Sequence, residues 1–282
     1  ETPFVETPSG KNAEYENFPV GLVLLSRKLR PHVACFYRFA RAADDIADSP
    51  ELEAGEKLRR LEGFEAALKN ENANCPDYHK AAQMAESLEQ TGTSSRHCLD
   101  LIAAFRQDAV KSRYKNWAEL MAYCRLSAAP VGRYLIDLHG GSKIGYWPSD
   151  ALCAALQLIN YLQDVADDHR SLDRVYLPMD WILESDADLS GFSADSTPQA
   201  LRHVMDWTLM GVDQLLRDAV SLPGALYSMR LGLEAAVIIQ IAKALSKKLA
   251  ENDPLSQRIE LSRLELAACA ARGLITGFIS RW

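Results

Sequence analysis

Two apolar helical segments of this 282-residue chain each carry aspartates at helical spacing. The first segment contains Asp44, Asp45 and Asp48, and the second contains Asp164 and Asp168. Residues three or four apart lie on one side of a helix, so each set can form an acidic stripe. Apolar residues flank both sets, which indicates that the two helices are largely buried. Because a buried carboxylate needs a cation beside it, the two stripes are expected to face each other across a shared polar site.

Further polar side chains continue each stripe. Tyr37 and Arg41 precede the first aspartates, and Gln157 and Asn160 precede the second. Mg²⁺ prefers oxygen ligands and is usually held by one or two carboxylates together with substrate phosphate oxygens. We therefore predict that the stripes bind Mg²⁺ and that the metal binds a diphosphate, which suggests chemistry on a prenyl diphosphate. A lone Asp-x-x-x-Asp pair more often marks a solvated helix face, and Arg41 can also form salt bridges within its own helix.

Composition and charge argue against several classes of function. A net charge of −7 is unfavourable for a nucleic-acid-binding surface. The sequence contains no stretch of eighteen apolar residues and no recognisable secretory signal, so a cytoplasmic location is expected. The six cysteines form no Cys-x-x-Cys pair and are expected to be reduced core residues rather than zinc ligands.

Helical periodicity runs through almost the whole chain, whereas strand-like alternation is scarce. The pattern predicts an all-α protein with helices at about 19–29, 31–48, 52–70, 78–90, 95–111, 117–139, 148–168, 198–220, 224–250 and 258–280. Few linker-like segments interrupt the pattern, so we expect one domain over residues 1–282, with residues 1–13 as an extended N-terminal segment. Residues 169–197 are predicted to be the longest irregular stretch, and a loop of this length suggests a lid.

Four sequence blocks resemble the squalene/phytoene synthase family of head-to-head prenyl synthases. They are residues 36–48 (FYRFARAADDIAD), 105–114 (FRQDAVKSRY), 123–132 (YCRLSAAPVG) and 157–168 (QLINYLQDVADD), the last followed by RVYLP at 174–178. The resemblance extends from about residue 17 to the last helix. It implies an all-α, single-domain isoprenoid synthase fold, in which a helical bundle surrounds a central apolar cavity.

The resemblance also implies roles for individual residues. Asp44, Asp45 and Asp48 match the first aspartate motif of the family, Asp164 and Asp168 match the second, and Asn160 joins them as an expected Mg²⁺ ligand. The implied substrate-binding residues are Tyr37, Arg41, Arg113, Gln157, Asn160, Arg174 and Tyr176, of which Tyr37 and Arg41 help to bind the departing diphosphate. Tyr123 matches a tyrosine that faces the reacting centre, and it is expected to be catalytic together with Asp44, Asp48, Asp164 and Asp168.

Departures from the family pattern indicate one branch. The third block usually reads YCYxVAGTVG, and the change to Ala128-Ala129-Pro130 should kink the helix beside the cavity. Gln163 replaces a frequent arginine, and residues 16–20 replace a serine-rich phosphate-binding segment. These changes resemble the bacterial hopanoid-pathway branch, the hydroxysqualene synthases, which convert presqualene diphosphate and water into hydroxysqualene and diphosphate.

This branch implies Mg²⁺ as a cofactor and no need for NADPH. The residue that positions the attacking water is left open among Tyr123, Arg125 and Ser127, and His169 is the histidine most worth considering beyond a structural role. The alternatives are formation of squalene, dehydrosqualene or phytoene, and a catalytically inactive family member that acts as an assembly factor. Because the substrate is apolar, peripheral contact with the inner face of the membrane is also considered, while the sequence predicts no oligomeric state.

Overall fold

The structure is a computed structural model that describes residues 26–71 and 75–280. Within these ranges the chain is helical, with an isolated bridge between Arg113 and Val175 as the strand-like feature. The helices are α1 (Arg30–Asp48), α2 (Ala54–Leu68), α3 (His79–Thr91), α4 (Arg96–Asp108), α5 (Trp117–Ser127), α6 (Ala129–Leu138), α7 (Tyr146–Gln163), α8 (Val165–Leu172), α9 (Met179–Glu184), α10 (Gln199–Ala219), α11 (Leu222–Ala225), α12 (Met229–Glu251) and α13 (Arg263–Ile279). The all-α prediction is confirmed.

Local sequence explains several of the helix ends. Helix α1 has proline in its first turn and ends before the Ser49-Pro50 pair, where the backbone becomes extended. Helix α13 begins with a capping box, in which the Ser262 hydroxyl accepts from the Glu265 N–H and the Glu265 carboxylate accepts from the Ser262 N–H. Helices α12 and α13 approach closely at Gly273 because glycine has no side chain. A Cβ at this position would lie 2.4 Å from the Val237 Cα.

The described helices enclose two hydrophobic clusters. The first lies among α1, α2, α3, α4 and α6 and includes Phe39, Phe64 and Tyr134. The second is larger and is formed mainly by α5, α7, α10 and α12. Val33 and Leu135 pack against both clusters. Helix α1, which carries the first acidic stripe, therefore belongs to one cluster and α7, which leads to the second stripe, belongs to the other.

The helix predicted at 117–139 is broken at Ala128. Helix α5 ends at Ser127 and α6 begins at Ala129, while Ala128 itself has φ −116° and ψ −50°. Pro130 lies in the first turn of α6 and has no N–H to donate to the preceding helix. The predicted kink at Ala128-Ala129-Pro130 is confirmed.

Four other expectations have different outcomes. The segments at 1–13 and 16–20, and most of the helix predicted at 19–29, lie outside the described residues. The helix predicted at 148–168 is wrong as a single element, because Asp164 leaves helical geometry and separates α7 from α8.

Residues 169–197 are less irregular than predicted. They contain the end of α8, the whole of α9 and a 3₁₀ turn at Leu189–Ser193. Residues 174–178 are buried, and backbone hydrogen bonds join this segment to the chain between α4 and α5, from the Val175 N–H to the Ser112 carbonyl and from the Met179 N–H to the Tyr114 carbonyl. Residues 174–178, which belong to the expected lid, are thus part of the core. Their hydrogen bonds to the neighbouring segment satisfy backbone groups that burial removes from water.

Candidate active site

The polar stripe of α1 lies on its half-buried side. Tyr37, Arg41, Asp44 and Asp48 follow one another at intervals of four, three and four residues, and all are half-buried. The Arg41 guanidinium lies 3.2 Å from the Asp44 carboxylate and 3.0 Å from that of Asp45. The Asp45 side chain is 10% exposed and that of Asp44 is 34% exposed, so Asp44 is the more accessible to a ligand.

The second stripe bends where α7 meets α8. Gln157 and Asn160 are half-buried on α7, and the Asp164 N–H still donates to the Asn160 carbonyl at 2.9 Å. Asp164 then adopts φ −102° and ψ 9°, and its carbonyl accepts from the Asp168 N–H at 2.8 Å. Asp164 is exposed and Asp168 is half-buried. The bend therefore presents the two carboxylates from the end of one helix and the first turn of the next.

Arg174 connects the two acidic stripes. Its guanidinium donates to the Asp48 carboxylate at 2.5 Å and to the Asp108 carbonyl at 3.0 Å, while its backbone N–H donates to the Asp168 carbonyl at 3.1 Å. Arg174 is 6% exposed, so this ion pair is shielded from solvent. Arg174 thus pairs with the first stripe through its side chain and contacts the second through its backbone, although 126 residues of chain separate Asp48 from Arg174.

Arg113 is engaged at the edge of this region. Its guanidinium donates to the Asp173 carboxylate at 2.6 Å, to the Asp173 carbonyl and to the Ser112 carbonyl. These bonds hold the turn that precedes Arg174. The structure therefore gives Arg113 a supporting position next to the site, and direct binding of substrate by Arg113 stays a prediction.

Four tyrosines form a buried aromatic cluster beside Arg174. Tyr176 stacks on Tyr161 with ring centroids 3.6 Å apart, and its ring lies 5.7 Å from Tyr114 and 6.0 Å from Tyr123. Burial raises the pKa of Tyr176, and the charges of Asp108, Asp168 and Asp48 add to the effect. Tyr176 consequently lies within electrostatic range of carboxylates from both stripes.

Asp108 is a site residue that the sequence reasoning missed. Its carboxylate accepts a hydrogen bond from the Tyr123 hydroxyl at 2.6 Å. Burial raises the pKa of Asp108 to about 6, although the charge of Arg174 and the bond from Tyr123 act in the opposite direction. Tyr114 and Tyr161 were also missed. Asp108 and Tyr114 lie in the same sequence block as Arg113, and Tyr161 follows Gln157 by four residues, so the helical spacing already contained a signal for Tyr161.

The remaining candidates have separate environments. Arg125 is exposed, which places it in contact with solvent rather than with the tyrosine cluster. The Ser127 hydroxyl oxygen is enclosed and has no hydrogen-bond partner among the described residues. His169 lies against Phe192, with ring centroids 5.4 Å apart.

The donor set suits a hard divalent cation. The two stripes offer carboxylate and amide oxygens and neither a thiol nor an imidazole, which is the chemistry that Mg²⁺ favours. In the described part of the chain, no group of three or more His, Cys, Asp or Glu side chains converges closely enough to hold a metal alone. A metal held between the stripes would need water and phosphate oxygens of a substrate to complete its coordination.

The surface of α13 has an apolar side. Leu264, Ile275, Phe278 and Ile279 are between 46% and 84% exposed, so core packing does not account for them. No helix in the ranges 26–71 and 75–280 has both the length and the hydropathy needed to span a bilayer.

Known proteins are similar to this chain over nearly its full length. Residues 11–265 match the model of the squalene/phytoene synthase family. A hydroxysqualene synthase of Rhodopseudomonas palustris is 37% identical over 276 residues, covering 98% of this chain and 94% of the relative. A hydroxysqualene synthase of Zymomonas mobilis is 40% identical over 275 residues, covering 94% and 90%.

Solved structures agree with the fold. The crystal structure of squalene synthase HpnC from Alicyclobacillus acidocaldarius is similar with a TM-score of 0.69 and 26% identity, covering 81% of this chain and 85% of that one. A dehydrosqualene synthase crystallised with a ligand has a TM-score of 0.77 at 17% identity, covering 96% and 93%. These neighbours confirm the isoprenoid synthase fold.

Proposed function

The chain belongs to the squalene/phytoene synthase family, and we propose that it converts presqualene diphosphate and water into hydroxysqualene and diphosphate. The observation that carries this proposal is the near full-length similarity to hydroxysqualene synthases. The break at Ala128 supports the same branch, because it lies in the block where this chain departs from the wider family.

The diphosphate is proposed to bind between the two stripes. Asp44, Asp48, Asn160, Asp164 and Asp168 would hold Mg²⁺, which when bound neutralises charge on the leaving diphosphate. Asp48 uses one carboxylate oxygen to accept from Arg174, and its other oxygen would bind the metal. Asp45 was predicted as a further ligand, and its enclosed position beside Arg41 supports a role in orienting that guanidinium.

Charged and polar groups of the chain would bind the leaving group and orient the substrate. Arg41 and Tyr37 lie on the same side of α1 as Asp44, so both can contribute hydrogen bonds to diphosphate oxygens as the C–O bond breaks. Gln157 occupies the corresponding position on α7. Arg174 donates to the Asp48 carboxylate from its guanidinium and to the Asp168 carbonyl from its backbone. It would therefore help to hold the two helical segments in position relative to each other.

The tyrosine cluster is proposed to enclose the carbocation that remains. Aromatic faces attract cations, with an interaction of about 2 kcal/mol when the pair is desolvated. Tyr176 has its ring among three other tyrosines, and Tyr123 is 4% exposed, so bulk water is kept from the cation. The central apolar cavity and the boundaries of a single domain at 1–282 also stay part of this proposal.

The direct test is product analysis with purified protein. With presqualene diphosphate and Mg²⁺, the expected product by gas chromatography and mass spectrometry is hydroxysqualene, formed equally with and without NADPH. Squalene formed only with NADPH, or dehydrosqualene formed from farnesyl diphosphate, would support the alternative branches instead. No consumption of any prenyl diphosphate would support the inactive assembly factor.

Peripheral contact with the inner face of the membrane is the corresponding proposal for location. An apolar product and the exposed side chains Ile275 and Phe278 of α13 support it. Wild-type protein should float with lipid vesicles, whereas a variant with Ile275→Glu and Phe278→Glu should not. Equal flotation of the two would exclude α13 as the contact.

A further inference from the structure

Three enclosed oxygen atoms in the active-site region have no hydrogen-bond partner among the described residues. They are one carboxylate oxygen (Oδ1) of Asp108 and the hydroxyl oxygens of Tyr114 and Tyr161. Asp108 as a whole residue is half-buried, whereas its Oδ1 is fully enclosed. More than nine in ten buried polar groups find a partner, because an unpaired one forfeits its hydration. Three such atoms in one region therefore need an explanation.

The three atoms belong to one cluster. The Tyr114 and Tyr161 rings both lie against Tyr176, at centroid distances of 5.7 Å and 3.6 Å. The charge of Asp108 contributes to raising the pKa of Tyr114 and of Tyr161, after the larger effect of burial. Asp108 is held in place by the Tyr123 hydroxyl, which donates to its other carboxylate oxygen at 2.6 Å. The side chains that carry the three unpaired oxygens thus lie around Tyr176 and within electrostatic range of one another.

We propose that Asp108, Tyr114 and Tyr161 bind one ordered water molecule, and that this water supplies the hydroxyl group of the product. A buried water typically makes about three hydrogen bonds to groups that would otherwise be unsatisfied, which matches the three oxygens. The inference rests on the proposed function, because the proposed reaction adds water to a carbocation.

The chemistry balances without another reactant. The water donates one hydrogen bond to Asp108 and one to a tyrosine oxygen, and it accepts one from the other tyrosine, which leaves one lone pair for the carbocation. As the new C–O bond forms, one O–H bond of the water breaks and its proton passes to the Asp108 carboxylate. The cation is thereby converted into a neutral alcohol, and Asp108 becomes a neutral acid.

The position of this water relative to the leaving group is also suitable. The Asp108 carbonyl accepts from Arg174, and Arg174 in turn donates to Asp48 of the first stripe. The water would therefore be bound by residues other than those proposed to bind the diphosphate. Separate places for diphosphate and for water would let the cation form before it is captured.

The test compares product ratios in variants that keep side-chain shape. Tyr161→Phe, Tyr114→Phe and Asp108→Asn should each lower the ratio of hydroxysqualene to hydrocarbon products formed by proton loss. The expected decrease is about tenfold, which corresponds to about 1.4 kcal/mol. Tyr134→Phe is the matched control, because this buried tyrosine belongs to the other hydrophobic cluster and donates to the His32 carbonyl. Its product ratio should equal that of the wild type.

Two outcomes would overturn the inference in different ways. If the wild type forms hydroxysqualene and all three variants keep its product ratio, the role of this water in the reaction is refuted while the proposed function stands. If the wild type releases no diphosphate from presqualene diphosphate, the proposed function fails. In that case a crystal structure still tests the binding site. A water within about 3.2 Å of all three oxygens supports the site. No water there, or a water that is unchanged in Tyr161→Phe crystals, excludes it.

Discussion

Glu234 of α12 is a buried carboxyl group whose ionisation should make the stability of the protein depend on pH. It is 4% exposed, and its Oε2 has no hydrogen-bond partner among the described residues. Burial raises the pKa of Glu234 from 4.5 to about 8. Between these two pH values the carboxyl is neutral in the folded protein and ionised in the unfolded chain.

The direction of the effect follows from proton binding. The folded state holds one more proton than the unfolded state in this window, so the free energy of unfolding falls as pH rises. The contribution of Glu234 is therefore fully present below pH 4.5 and is lost as pH rises towards 8. The loss is about 1.4 kcal/mol per pH unit, or roughly 3 kcal/mol between about pH 5 and pH 7.5.

Glu234→Gln removes this dependence while it keeps the shape of the side chain. Relative to wild type, its free energy of unfolding in urea should increase by roughly 3 kcal/mol between about pH 5 and pH 7.5. Glu184→Gln, at an exposed position, is the matched control and should show no such change. A difference between Glu234→Gln and wild type that is the same at both pH values would refute the assignment of a neutral buried carboxyl.

Asp164→Asn should abolish diphosphate release without changing the melting temperature, because Asp164 is exposed; full turnover would remove it from the metal site. Chelation of divalent metal should likewise stop turnover, and added Mg²⁺ should restore it. Arg174→Gln should lower the free energy of unfolding in urea by roughly 3 kcal/mol, because it leaves Asp48 without its buried partner; a loss under about 1 kcal/mol would show that the pair contributes little. The charged and titratable groups around Asp108 are Arg174, Asp48, Tyr114, Tyr123, Tyr161 and Tyr176. The pKa of Asp108 is about 6, so its carboxyl is neutral below this pH. The ratio of hydroxysqualene to hydrocarbon should therefore decrease as pH falls through about 6, and a ratio independent of pH would exclude Asp108 as the proton acceptor.

Local patterns were sufficient to predict the helices and one of their breaks. The periodic apolar positions of α1 predict both its length and its buried side, and Pro130 predicts the break at Ala128. The break at Asp164 has no such signal, because the residues around it contain neither proline nor glycine and keep helical spacing. A tertiary contact forms there instead, since the Asp168 carbonyl accepts from the Arg174 backbone.

Local sequence likewise predicts some of the active-site residues, whereas others depend on tertiary contacts. The two acidic stripes are visible in sequence because their members are three or four residues apart on a helix. The Arg174–Asp48 pair and the Asp108–Tyr123 hydrogen bond join different segments, so their geometry depends on the packing of helices that are distant in sequence. In the sequence Asp108 is one aspartate in a block of polar residues, and only the structure shows that its carboxylate is enclosed.

The most direct test of the account is to locate metal ions in a crystal grown with Mn²⁺ and inorganic diphosphate. Anomalous diffraction should place ions between α1 and the α7–α8 bend, within about 2.2 Å of carboxylate oxygens from both stripes, with diphosphate oxygens completing their coordination. Ions bound by only one stripe, or diphosphate bound elsewhere on the protein, would contradict the proposal that Asp44 and Asp48 act together with Asp164 and Asp168.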